Sequence, residues 1–131
     1  MMYAQKKPSP KPDKRIKIGI LEHSGNYRYT LNRILRANSN SKIIEYMSSD
    51  ELVDKIEDDT TLIIADTDAS NSISIEETIK RLREKGYKNH IVLFSSSKRY
   101  GEIYKRIGAD GCINKFSDTL RDDLLNELRK Y

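Results

Sequence analysis

The residues best suited to chemistry in this sequence stand where short apolar runs stop. Ile16, Ile18, Ile20 and Leu21 lead into Glu22 and His23. The run from Thr61 to Ala65 leads into Asp66, with Asp68 two positions on. The run from Ile91 to Phe94 leads into Ser95 and Ser96, and Gly111, Cys112 and Ile113 lead into Asn114 and Lys115. Carboxylates crowded together repel, and a hard cation such as Mg2+ relieves the repulsion through oxygen ligands. A carboxylate beside such a cation can act as a nucleophile toward a phosphoryl group. An ammonium and a hydroxyl can then hold the transferred oxygens. Any one of these residues alone is what an exposed strand end ordinarily carries. Four polar ends of complementary charge form a pattern.

The elements that must position these groups alternate regularly. The apolar runs read as strands, and between them lie stretches of helical period. Tyr27, Leu31, Ile34 and Leu35 recur on one helical face, as do Leu52, Val53 and Ile56, then Ile75, Ile79 and Leu82. Ile43, Ile44 and Tyr46 form a second strand. Ser48 and Ser49 are N-cap candidates, and Gly86 closes the third helix. A short helix carries Ile103 and Ile107 and ends at Gly108. The last helix starts at Asp118 and buries Leu120, Leu124, Leu125 and Leu128. Strands apolar throughout are covered on both faces. Five β-α units with right-handed crossovers therefore predict a three-layer α/β sandwich of flavodoxin-like type, with a parallel five-stranded sheet in order 2-1-3-4-5. Ligands of such sheets sit beyond the carboxyl ends of the strands, where the polar residues stand.

Composition narrows the function classes. The chain has 131 residues, enough for one domain. No apolar run approaches the ~20 residues of a membrane span, and the N-terminus lacks the apolar stretch of a secretory signal. The single cysteine, Cys112, permits no internal disulfide and reads as a small core residue in a cytoplasmic protein. The net charge of +4 resides in residues 1–15, where Lys6, Lys7, Lys11, Lys14 and Arg15 face Asp13 alone among three prolines. This segment reads as an extended, disordered leader, and residues 16–131 as the folded domain. A basic leader is the sole hint of nucleic acid, and no later segment resembles a recognition module.

With these residues in place, the sequence resembles the receiver domain of two-component response regulators across residues 16–131. The Leu62-to-Asp66 run matches the family's acceptor strand. Gly108-Ala-Asp-Gly-Cys-Ile-Asn-Lys115 looks like the family's stretch ending in a conserved lysine. The resemblance implies that Asp66 is the phospho-acceptor, that Ser95 bonds the phosphoryl oxygen, and that Lys115 pairs with Asp66 or the phosphate. It implies an Mg2+ site from Glu22, Asp66 and the backbone carbonyl of Asp68. It also implies a sensor histidine kinase or phosphotransfer protein as donor and a downstream protein as target, a signalling role and not an enzymatic one.

The departures from the pattern concentrate on the metal site and the signalling face. His23 stands where the family has its second acid, and imidazole is a poor Mg2+ ligand; Mg2+ binding is expected to be weak or absent. Lys115 is followed by Phe116 instead of proline. The aromatic switch position is Cys112, and the segment from Ser95 to Gly108 is short. Tyr100 and Tyr104 share a helical spacing, and one of them is expected to pack inward in place of the missing aromatic. These changes suit either an atypical receiver or a pseudo-receiver that binds partners without phosphorylation. The alternative class is a flavodoxin-like FMN binder, with His23-Ser-Gly-Asn26 as phosphate loop. A metal site on His23 and His90 is not expected, because they belong to opposite strand ends.

Overall fold

The computed structural model describes residues 15–68 and 73–131. The leader expected over 1–15 lies outside them apart from Arg15, as do residues 69–72 in the loop after Asp66. Five strands and five helices alternate: β1 Ile16–Leu21, α1 Gly25–Asn38, β2 Ser41–Tyr46, α2 Ser49–Lys55, β3 Leu62–Asp66, α3 Ile75–Lys85, β4 His90–Ser95, α4 Lys98–Ile103, β5 Gly111–Asn114 and α5 Leu120–Arg129. All strand pairs are parallel and the sheet order is β2-β1-β3-β4-β5. This is the predicted topology.

Side-chain alternation divides the core into two layers. Ile63 and Ala65 of β3 and Ile91 and Leu93 of β4 point toward Leu52, Ile75, Ile79 and Leu82 of α2 and α3. Leu62, Ile64, Val92 and Phe94 point the other way, toward Leu31 and Leu35 of α1 and Leu124 of α5. β3 is buried along its whole length, which is why its sequence shows no polar alternation. Gly19 in β1 is a close approach: a Cβ there would lie 3.1 Å from the Tyr46 ring.

Serines set four of the helix starts. Ser24, Ser48, Ser74 and Ser97 each accept a hydrogen bond from a backbone N–H of the first turn of α1, α2, α3 and α4. Ser48, not Ser49, caps α2. Gly86 ends α3 at φ 104°, a left-handed conformation that glycine adopts without strain. The start of α5 differs from expectation. Its N-cap position is Thr119, without a side-chain capping bond. The Ser117 and Thr119 hydroxyls both donate to the Asp123 carboxylate instead, and Asp118 stays exposed.

Polar anchors fix the loops at the far end of the sheet. Asp110 accepts the Ile91 N–H at 2.8 Å and pairs with Arg83 at 3.2 Å. Lys85 donates to the carbonyls of Val53 and Asp54, the exposed end of α2. α4 is short, six residues, but ends at Ile103, so Ile107 and Gly108, expected to complete it, lie in the turn that follows. Both Tyr100 and Tyr104 pack against the α2–α3 layer, not one of them alone. Cys112 is half-buried beside them, and burial pushes its thiol up to about 11. Among the described residues no helix is long and apolar enough to cross a membrane.

Candidate functional site

The carboxyl ends of β1, β3 and β5 bring Glu22, Asp66 and Lys115 together. β1 stops at Leu21, so Glu22 folds back over the strand end and is 2% exposed; Asp66 is 1% exposed. The Lys115 ammonium reaches between them. It donates to Asp66 Oδ1 at 2.9 Å and lies 2.9 Å from Glu22 Oε2 and 3.1 Å from Oε1. Its stem runs past the rings of Tyr27 and Phe94, with the ammonium 5.0 and 5.2 Å from their centroids.

Electrostatics follow from this geometry. Burial pushes the Glu22 carboxyl above its ordinary range, against the opposing pull of Lys115 and the Ser24 N–H. Burial works to lower Lys115, but its bonds to Glu22 and Asp66 outweigh that and hold the ammonium above its ordinary value. The trio is thus a buried, mutually dependent set: one cation serves two acids.

His23 stands next to this trio. Its Nδ1 lies 3.5 Å from Asp66 Oδ2, so it does occupy the side of Asp66 left open by Lys115. The loop that carries it is held by Arg28, whose guanidinium donates to the carbonyls of Glu22 and His23 at 2.9 and 3.1 Å. Asp66 Oδ1 also accepts the Asp68 N–H at 2.9 Å.

Ser95 is close by but engaged elsewhere. Its Oγ accepts from the Thr67 hydroxyl at 2.6 Å and from the Ser97 N–H at 3.0 Å. The cleft at the strand ends, ≈ 250 Å³, is lined by Asp66, Thr67, Asp68, Ser96, Ser97, Tyr100 and Lys115. Thr67 and Arg28 were not among the sequence candidates, and Tyr100 was singled out only as a residue of the fourth helix. Thr67 and Ser95 meet because Asp66 pairs with Phe94 in register, which sets the next residues of the two strands side by side. Phe116 is exposed, and its backbone N–H donates to Asn114 Oδ1 at 2.8 Å. A proline at that position has no N–H to give.

An Mg2+ ion needs free carboxylate oxygens. Here Glu22 Oε1 accepts the Ser24 N–H at 3.0 Å as well as facing Lys115. Asp66 Oδ1 is bonded to Lys115 and Asp68, and Oδ2 faces His23. Among the described residues no group of three His, Cys, Asp or Glu side chains is disposed to hold a metal. Lys115 and His23 thus stand beside the oxygens such an ion would use.

The other sequence candidates separate. His90 opens β4 and stacks on Tyr131 at 3.7 Å, at the opposite end of the sheet from His23. The loop considered for an FMN phosphate turns toward Glu22: Ser24 donates its N–H to that carboxylate and uses its hydroxyl to cap α1. A phosphate there would meet a buried carboxylate.

No family model matches the chain, and no curated protein matches it. Solved structures do. The response regulator domain of CheB from Thermotoga maritima is 22% identical over 89% of this chain and 96% of its own, with a TM-score of 0.74. The response regulator TrrA of the same organism, in complex with Mg2+-BeF, is 20% identical over 88% of this chain and 97% of its own, at 0.73. A chemotaxis response regulator of Vibrio cholerae, CheY4, is 18% identical over 89% and 98%, at 0.72. With five parallel strands in order 2-1-3-4-5 and five helices around them, the chain has the fold of CheY-like response regulator receiver domains.

Proposed function

We propose that this chain is a receiver-type module of two-component signalling that works by binding partner proteins. In this reading its own Lys115 ammonium, and not Mg2+, neutralises the Asp66 pocket. The observation that carries the reading is the Lys115 ammonium seated between buried Glu22 and Asp66, with His23 against the remaining Asp66 oxygen. Two carboxylates, one ammonium and one imidazole leave at most one net negative charge at the core of the site. A divalent cation gains little there and must displace hydrogen bonds already made.

A second reading is supported by Asp66 and Lys115 lining one cleft, with Ser95 bonded to Thr67 of the same lining. In it Asp66 accepts a phosphoryl group from a phosphohistidine of a sensor kinase or phosphotransfer protein, slowly because His23 disfavours the metal. The test is the intact mass after incubation with acetyl phosphate and Mg2+, with Asp66→Asn as control. An unchanged mass in the folded protein agrees with the partner-binding reading. A single phosphoryl adduct absent from Asp66→Asn overturns it in favour of the second.

A further inference from the structure

We infer that the groove between the end of α1 and the side of α5 binds a small amphiphilic monocarboxylate, an anion of the fatty-acid type. The groove holds ≈ 370 Å³, within the range of about 300–1,000 Å³ of small-molecule sites. Ile16, Leu125 and Leu128 give it an apolar floor, and Arg121, Asp122 and Arg129 stand exposed around it. Ile16 is the first residue of β1, whereas Asp66 and Lys115 stand at the carboxyl ends of their strands. The groove is therefore a second site, separate from the Asp66 pocket.

The core does not account for this floor. Spacing along α5 predicts four buried leucines, but of the four only Leu124 is buried. Leu120 and Leu128 pack partly against the core layer under α1 and α5, and Leu125 packs into neither layer. Leu125 thus keeps an apolar side chain half-exposed at a position that the core leaves open to a polar residue. An apolar chain laid along the groove removes that surface from water.

The polar groups set the charge of the ligand. At the end of α1 the Ile34 carbonyl accepts from Asn38 Nδ2 at 2.7 Å, and the Leu35 carbonyl accepts from the Ser39 hydroxyl at 2.6 Å. Neither is left to attract a cation. Arg121 donates one N–H to Asn38 Oδ1 at 2.9 Å and lies 3.7 Å from Asp122. Arg129 donates to Asn126 Oδ1 at 3.1 Å and forms no ion pair among the described residues. A guanidinium has five N–H donors, so both arginines keep donors in a geometry that suits a carboxylate. Arg121 also sits in the first turn of α5, where a cation opposes the helix dipole, so α5 itself gains nothing from that charge. Two guanidiniums and one carboxylate leave one net positive charge around the groove. That matches a monoanion better than a phosphate dianion, which Asp122 repels more strongly.

The test follows the backbone amide resonances of the full chain during titration with octanoate below its micellar range. Octanol, acetate and octyl phosphate are the controls, for the tail alone, the charge alone and a largely dianionic head. Saturable shifts are expected with millimolar octanoate, centred on Ile16, Ser39, Leu125 and Leu128. Octanol and acetate are expected not to saturate, and octyl phosphate to bind more weakly than octanoate. Arg121→Gln with Arg129→Gln is expected to weaken octanoate about fivefold or more. Arg33→Gln with Arg36→Gln, exposed on α1 outside the groove lining, is expected to weaken it less than about twofold. The dispersion of the amide resonances checks that each variant folds. No saturable shift, shifts centred on Asp66 and Lys115, equal losses in the two double variants, or octanol or octyl phosphate binding as tightly as octanoate would each overturn the inference.

Discussion

Replacing Lys115 by Met isolates the charge balance of the site. Methionine keeps an unbranched stem against Tyr27 and Phe94 but removes the ammonium that lies 2.9 Å from both Asp66 and Glu22. Two carboxylates, 1% and 2% exposed, are then left facing each other. Breaking a buried pair in this way costs ~3–5 kcal/mol. The loss has a ceiling, because Glu22 is already raised by burial and is the acid positioned to take up a proton. Protonating at pH 7 a carboxyl whose ordinary value is 4.5 costs about 3 kcal/mol. At pH 5 the same step costs less than about 1 kcal/mol. The expected destabilisation by urea titration is therefore about 3 kcal/mol at pH 7, shrinking as pH falls toward 5. Adding Glu22→Gln to Lys115→Met is expected to restore most of it at pH 7. At the alkaline end the sign reverses. The folded value of Lys115 is raised, so its contribution is complete below the ordinary lysine value of 10.5 and is lost as pH rises through the higher folded value; Lys115→Met lacks that loss. A pH-independent destabilisation, or one below about 1 kcal/mol at pH 7, would refute the claim that one cation sustains two buried acids.

Two further outcomes test other parts of the structure. Asp110→Ala strands the Ile91 N–H, which Asp110 accepts at 2.8 Å, and the expected cost by urea titration is about 2 kcal/mol; a loss under about 0.5 kcal/mol would show that the loop repacks without it. The Cys112 thiol, held up at about 11 against an ordinary 9.0 by burial and by Glu127, is expected to react with a disulfide reagent at pH 8 about a hundredfold more slowly in the folded protein than in urea. Equal rates would place Cys112 in open solvent.

The fold was legible because its signals are local. Apolar runs of strand length, helical spacing between them, and serines before the helices dictate the elements, and burial on both strand faces dictates a parallel sheet. The strand ends were legible for the same reason: Glu22, Asp66 and Lys115 each follow an apolar run. What the sequence did not reveal depends on register and on competition between neighbours. Thr67 meets Ser95 only because β3 and β4 are aligned as they are. Glu22 is a partner of Lys115 because β1 ends one residue before it, a detail of one peptide unit. Asp118 loses the start of α5 because Ser117 and Thr119 both turn to Asp123. Asp110 acts on a backbone group distant in sequence and Arg28 on the carbonyls of the preceding loop, and nothing in their local pattern marks them out.

The most direct test of the central claim is an Mg2+ titration followed by the amide resonances of Asp66 and Asp68, in the wild type and in His23→Asp. The account predicts no saturable shift in the wild type at millimolar Mg2+ and a saturable one in His23→Asp, where a carboxylate replaces the imidazole beside Asp66 Oδ2. Saturable Mg2+ binding of equal strength in both proteins would contradict it, since the pocket would then hold the cation despite Lys115 and His23.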